Sequence, residues 1–260
     1  MKLIQAEAIK IFKSWFFWIM IAVHVVIFIL LFFQFTLNES SNVIEPLLKQ
    51  SENLYSFFIL FFSAIFNTVF AVLLGSRVVS LEYSGNTTGI MVQAAGRYKP
   101  FIAKGCILLI SASLMTTILF LIGIILPIIF WNDVGSMALG GICLRMLFGI
   151  VSTFMISLFS MTMSVLLRNV SRGNTVSLLV LLSTQFLPYN VSKYFLYLNP
   201  YYYLSSFSDR VFNNLKGLSN ISFGTQNTMS DLLNIGLLIL YGGVCVLFQV
   251  LVYKKREYSS

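Results

Sequence analysis

The sequence predicts an all-α integral membrane protein of six transmembrane helices, and three observations predict it. Composition is the first: 58% of the 260 residues are apolar and 10% are charged, far outside the range of soluble domains. Pattern is the second. The apolar residues form continuous runs without period-two alternation, which favours helices over a closed barrel, the other structure that satisfies its own backbone in hydrocarbon. Charge placement is the third. With successive loops on alternate sides, twelve of the seventeen Lys and Arg residues and three of the nine acids share one side, leaving +9 there and −1 opposite. That asymmetry puts both termini in the cytoplasm. The formal charge of +8 is therefore an orientation signal, and nucleic acid is not an expected partner.

At the N-terminus, Ile4, Ala8, Ile11, Phe12 and Trp15 share one helical face, with Lys2, Lys10 and Lys13 on the opposite arc. The expectation is an amphipathic helix over residues 1–13, lying in the cytoplasmic interface with its bases toward acidic lipid headgroups. A fringe of the first span is the alternative. Span one, about 15–35, has too long an apolar core for a secretory signal, and no small-residue cleavage site follows it. It carries His24 near its midpoint. An ionisable side chain at that depth is a functional candidate, yet a lone imidazole also reads as a neutral ring hydrogen-bonded to a helix.

An acidic external loop leads to span two, about 54–76, whose only amide is Asn67. Residues 77–104 then form a cytoplasmic connection in which Arg77, Arg97, Lys99 and Lys104 face the single carboxylate Glu82. Inside it a short helix is expected over about 87–95, ended by Gly96, with Ile90, Met91 and Ala94 as an apolar knob for a partner's groove. Span three, about 105–130, carries Pro127 near its outer end, where a kink costs least. Span four, about 142–167, aligns Gly149, Thr153, Ser157, Ser160 and Ser164 at spacings of three or four. Two readings fit that stripe: close packing through small residues, and a weakly polar wall along a translocation path or against a second copy.

Span five, about 174–188, supplies only about 21 Å of helix before Pro188, short for a hydrocarbon core of roughly 30 Å. The following residues, 189–212, hold Lys193, a dense run of tyrosines and the break Asn199-Pro200-Tyr201. They are read as re-entrant or interfacial helices on the outer side, the alternative being one kinked span and an ordinary loop. Span six, about 232–253, ends in the basic cluster Lys254-Lys255-Arg256.

Cys106, Cys143 and Cys245 lie in or beside apolar runs without paired spacing, so neither a disulfide nor a metal site is expected. No carboxylate accompanies His24 in the spans, which argues against an intramembrane enzyme, and no filter sequence or charge ring marks a channel. No G-x-x-x-x-G-K-[ST] phosphate loop occurs either.

The order of these features resembles the ABC-2 family of ATP-binding-cassette transporter permeases. Locally, Glu82, Gly85 and Thr87 followed by Arg97 and Lys104 look like the family's E-x-x-x-G-T … R … K coupling helix, with two residues instead of three between Glu82 and Gly85 and Asn86 inserted between Gly and Thr. Phe186-Leu187-Pro188, then Leu198-Asn199-Pro200-Tyr201 and Arg210, look like its L-P … L-N-P … Y … R segment. The resemblance covers nearly the whole chain, residues 1–260, as one permease domain. It implies no cofactor in this chain, ATP and magnesium in a separate ATPase subunit, and a second permease chain, identical or different. It further implies export of an amphiphile, an antimicrobial or other peptide in preference to drugs, lipids or lipid-linked polymers. The Phe-, Ile- and Asn-rich composition fits the plasma membrane of an AT-rich bacterium.

Overall fold

The computed structural model of the chain describes residues 2–37, 67–85, 99–131, 139–186 and 231–257, and among these every regular element is a helix. In chain order they are α1 (Lys2–Phe12), α2 (Trp15–Leu37), α3 (Asn67–Gly85), α4 (Lys99–Trp131), α5 (Leu139–Leu167), α6 (Val170–Phe186) and α7 (Asp231–Glu257).

Local chemistry accounts for several of their ends. After α1 the N–H of Lys13 donates to Ile9 O and that of Ser14 to Ile11 O, a tightened last turn, and the chain then bends by 58° into α2. Helix α4 opens at Lys99 with Pro100 next, where a missing N–H breaks no helical bond. Helix α5 ends on Arg168, whose φ of 51° lies in the left-handed region. Asn169 then caps α6, its Oδ1 accepting the Arg172 N–H at 3.1 Å.

Helix α5 is the hub, packed against α3, α4, α6 and α7. Side-chain pairs set the directions. Arg77 beside Phe16 and Phe70 beside His24 make α3 antiparallel to α2. The Ser160–Val72 hydrogen bond, with Val78 and Val79 clustered near Met161 and Val165, makes α3 parallel to α5. Gly173 on Ser164 and Leu181 near Ile156 make α6 antiparallel to α5, while Gly242 on Met155 and Gln249 on Thr162 make α7 parallel to it. These directions gather α1, the start of α2, the end of α3, the start of α4, the α5–α6 turn and the end of α7 at one end of the bundle. The basic residues Lys10, Arg77, Lys104, Arg168 and Arg172 are collected there, the spatial counterpart of the charge asymmetry.

Outer faces of α2, α4 and α7 expose Leu30, Leu121, Ile125, Ile239 and Leu247, whereas Ser111, Thr116, Ser152, Thr153, Ser157 and Ser177 are buried. Apolar outside and hydroxyl-bearing inside is the arrangement that lipid as solvent selects. Three helical stretches are long and apolar enough to cross a membrane, Lys99–Ile122, Gly149–Leu167 and Leu233–Val252, and the bent α1–α2 pair makes a fourth. The described residues thus supply three or four spans where six were expected. The apolar stretches Thr68–Ser80 and Val170–Leu182 are shorter, and residues 54–66 and 187–212, which would extend or follow them, lie outside the described residues.

Three helices run beyond the limits expected of their spans. Helix α3 continues past Ser76 through Arg77 and Glu82 to Gly85, α4 begins at Lys99 and not near 105, and α6 begins at Val170 and not at Asn174. The reason is common to all three. Hydropathy marks where a helix leaves an apolar environment, whereas caps and breakers mark where it ends, and the two need not coincide.

Candidate functional site

At the basic end, α1 packs across the start of α4. Ile4, Ala8, Ile11 and Phe12, the face legible in the sequence, join a cluster with Phe101, Ile107, Leu108 and Val165. The apolar face of α1 therefore meets protein. On that same inward arc, three residues after Ile4, sits Glu7, only 2% exposed. Its Oε1 accepts from Lys10 Nζ at 2.7 Å, and its Oε2 lies 3.6 Å from Lys104 Nζ. Lys104 is as deeply buried as Glu7, so one carboxylate ties the N-terminal helix to the fourth.

This corrects the placement of Lys104. It was expected on a basic exit open to a partner, but its side chain turns inward, because α4 already began at Lys99 and carries Phe101, Ala103 and Lys104 on its buried side. Glu7 is the residue that sequence reasoning passed over. The signal was available, since a carboxylate at i+3 from Ile4 and i−4 from Ile11 stands on the apolar arc and must find a cation there.

The stripe on α5 is buried throughout: Thr153, Ser157, Ser160 and Ser164 have no exposed surface, and Gly149 lies against Thr116 of α4, whose Cγ2 would stand 2.8 Å from an added Cβ. Ser160 Oγ donates to Val72 O at 2.7 Å, Gly75 packs directly on the Ser157 carbonyl, and Gly173 packs on Ser164. Helices α3, α4 and α6 of the same chain cover the stripe. Of its two readings, the contacts among the described residues are those of close packing within one chain.

His24 is buried; its Nδ1 lies 2.8 Å from Met20 O, which makes Nδ1 the donor, and its ring meets Phe70 edge-on at 5.2 Å. That geometry is the helix-bonded imidazole. Asn67 is the first residue of α3. Glu82 and Gly85 belong to the last turns of α3, while Thr87, Ile90, Met91, Ala94, Arg97, Pro188, Asn199, Pro200 and Tyr201 lie outside the described residues. Among the described residues no cluster of His, Cys, Asp or Glu could hold a metal ion.

A second buried polar contact ties α7 to α5. Gln249 Nε2 donates to Thr162 Oγ1 at 2.7 Å, Thr162 donates to Leu158 O at 2.8 Å, and Gln249 Oε1 has no partner among the described residues. Removing the acceptor strands both ends of the amide, whereas removing the amide also removes its orphan oxygen. Thr162→Val should therefore destabilise the bundle by about 1–3 kcal/mol and Gln249→Leu by less than about 1 kcal/mol, read by SDS titration in micelles.

No family model, curated protein or solved structure matches the chain.

Proposed function

We propose that the chain is the membrane-spanning permease subunit of an ABC exporter, moving an amphiphilic substrate, peptide by preference, with ATP hydrolysed by a separate subunit. The observation that carries the reading is the construction of the basic end. Residues 77–104 enter and leave it through helices α3 and α4, and both helices are held rigidly: α3 by the backbone contact of Gly75 on α5, α4 by the Glu7–Lys104 pair to α1. A force applied to the connection by a docked ATPase would reach two long helices with little loss, because packed interiors are stiff. At 33 residues α4 is about 50 Å long, more than a hydrocarbon core, so its basic end projects toward such a partner.

The motif order around Glu82–Lys104 and Pro188–Tyr201 supports the same family, and the transported class follows from that likeness. A tagged chain should bring down a nucleotide-binding subunit from its native membrane. If it brings down none, a non-transporting membrane scaffold is the better reading. Glu82→Ala and Arg97→Ala should insert normally and yet lower ATP-driven export by about tenfold or more, because they remove charge from the docking segment rather than from the bundle. Unchanged export in both variants would remove the coupling role.

A further inference from the structure

Along α2 the exposed side chains Trp15, Trp18, Ile19, Val23, Val26 and Leu30 share one face, their spacing matching a 3.6-residue period. The face is graded along the helix. Its first turn carries the two indoles, 82% and 48% exposed, and the rest, about 16 Å of helix from Ile19 to Leu30, is aliphatic. A bilayer imposes that order, because indoles favour the headgroup layer and aliphatic side chains the hydrocarbon, whereas a protein groove does not require it. The indole end is also the basic end of the bundle, and Lys13, in the bend between α1 and α2, is exposed there, a charge that complements lipid phosphate.

The elbow itself is fixed. Trp18 Nε1 donates to Phe12 O at 2.7 Å, which satisfies a carbonyl at the end of α1, and the Phe17 ring meets those of Phe12 and Trp18 edge-on at 5.1 and 5.5 Å. Helix α1 has little left to insert into lipid. Its face of Ile4, Ala8, Ile11 and Phe12 is used within the bundle, and among its described residues Ile9 is the one large apolar side chain left exposed.

We propose that the elbow is a membrane-surface contact: Trp15 and Trp18 rest in the phospholipid headgroup layer, the exposed face of α2 from Ile19 onward lies in hydrocarbon, and α1 stays outside the hydrocarbon, packed on the start of α4. The attachment to lipid is thereby moved from the apolar face of α1, where the sequence placed it, to the first turn of α2. Since α1 is tied to α4 through Glu7 and Lys104, the start of α4 is held at a set height above the leaflet. The inference rests on the chain lying in a membrane and does not require the ATPase partner.

The test is depth-dependent quenching of tryptophan fluorescence in the full chain reconstituted into vesicles of phosphatidylcholine brominated either next to the glycerol ester or at the acyl terminus. The chain has three tryptophans, so Trp131→Phe leaves Trp15 and Trp18 as the reporters. Bromine next to the ester should quench at least about twofold more than bromine at the acyl terminus, because interfacial side chains sit at the boundary of headgroups and acyl chains. Stronger quenching from the acyl terminus would put the elbow inside the hydrocarbon, and quenching by neither lipid would mean that water or protein covers the indoles; either result overturns the proposal. Because Trp131→Phe could disturb the fold, the wild-type chain supplies a second reading with photoactivatable phospholipids. A diazirine in the headgroup should label residues 9–18 in peptide mapping, and one at the acyl terminus should label residues 19–30 and not 9–18. Labelling of 9–18 from the acyl terminus, or their escape from the headgroup probe, would also overturn the contact. Release of the chain from membranes by carbonate would instead overturn the membrane reading beneath it.

Discussion

Glu7→Ala is expected to destabilise the protein by about 3 kcal/mol, a large effect for one residue of a short N-terminal helix. The carboxylate is buried against two lysines, and Lys104 is as deeply buried as its partner. Removing the anion takes from buried Lys104 the Glu7 carboxylate that helps offset the desolvation cost of its charge. Lys10 is 35% exposed and can turn toward water, so most of the loss falls on Lys104. The double variant Glu7→Leu with Lys104→Met should recover to within about 1 kcal/mol of the native protein, because two apolar side chains of similar size remove both charges together. Unfolding followed by far-UV circular dichroism in micelles measures all three. If the single substitution is near neutral, the pair does not hold α1 on α4.

Gly75→Ala is the second large effect. Gly75 lies mid-way along α3, where alanine is ordinarily the better helix former by about 1 kcal/mol. Here a methyl would overlap the carbonyl oxygen of Ser157, with Met161 N at 3.1 Å, and the obstacle is backbone that cannot rotate away. Helix α3 must then shift off α5, loosening the Ser160–Val72 hydrogen bond and the cluster of Val72, Ile156 and Phe159. The net cost should be about 2 kcal/mol or more. Gly105→Ala in α4 is the control of opposite sign: nothing stands within 4 Å of its added Cβ, so the propensity gain of up to about 1 kcal/mol should appear unopposed. Equal behaviour of the two alanines would mean that α3 and α5 are not in backbone contact.

These two cases separate what was legible in the sequence from what was not. The α1 face of Ile4, Ala8 and Ile11 was readable because a 3.6-residue period is local, and it packs as a face. The α5 stripe was readable as a stripe for the same reason. What it packs against was not, since Gly75 gives no local sign of the Ser157 carbonyl it touches, and hydroxyl residues serve a helix interface and a polar path equally well. Lys104 was read as exposed because charge is ordinarily a surface signal, and only the early start of α4 turns it inward.

The sequence by itself determined the solvent of this protein, its helical class and which helix ends share one basic side, because hydropathy and charge act residue by residue and add along the chain. The tertiary structure alone decided where helices continue beyond their apolar stretches and which faces meet. It closed the α5 stripe with α3, α4 and α6, and it gave Glu7 a cation from far along the chain. Contacts of that kind depend on shape and distance between segments, and no single segment encodes them.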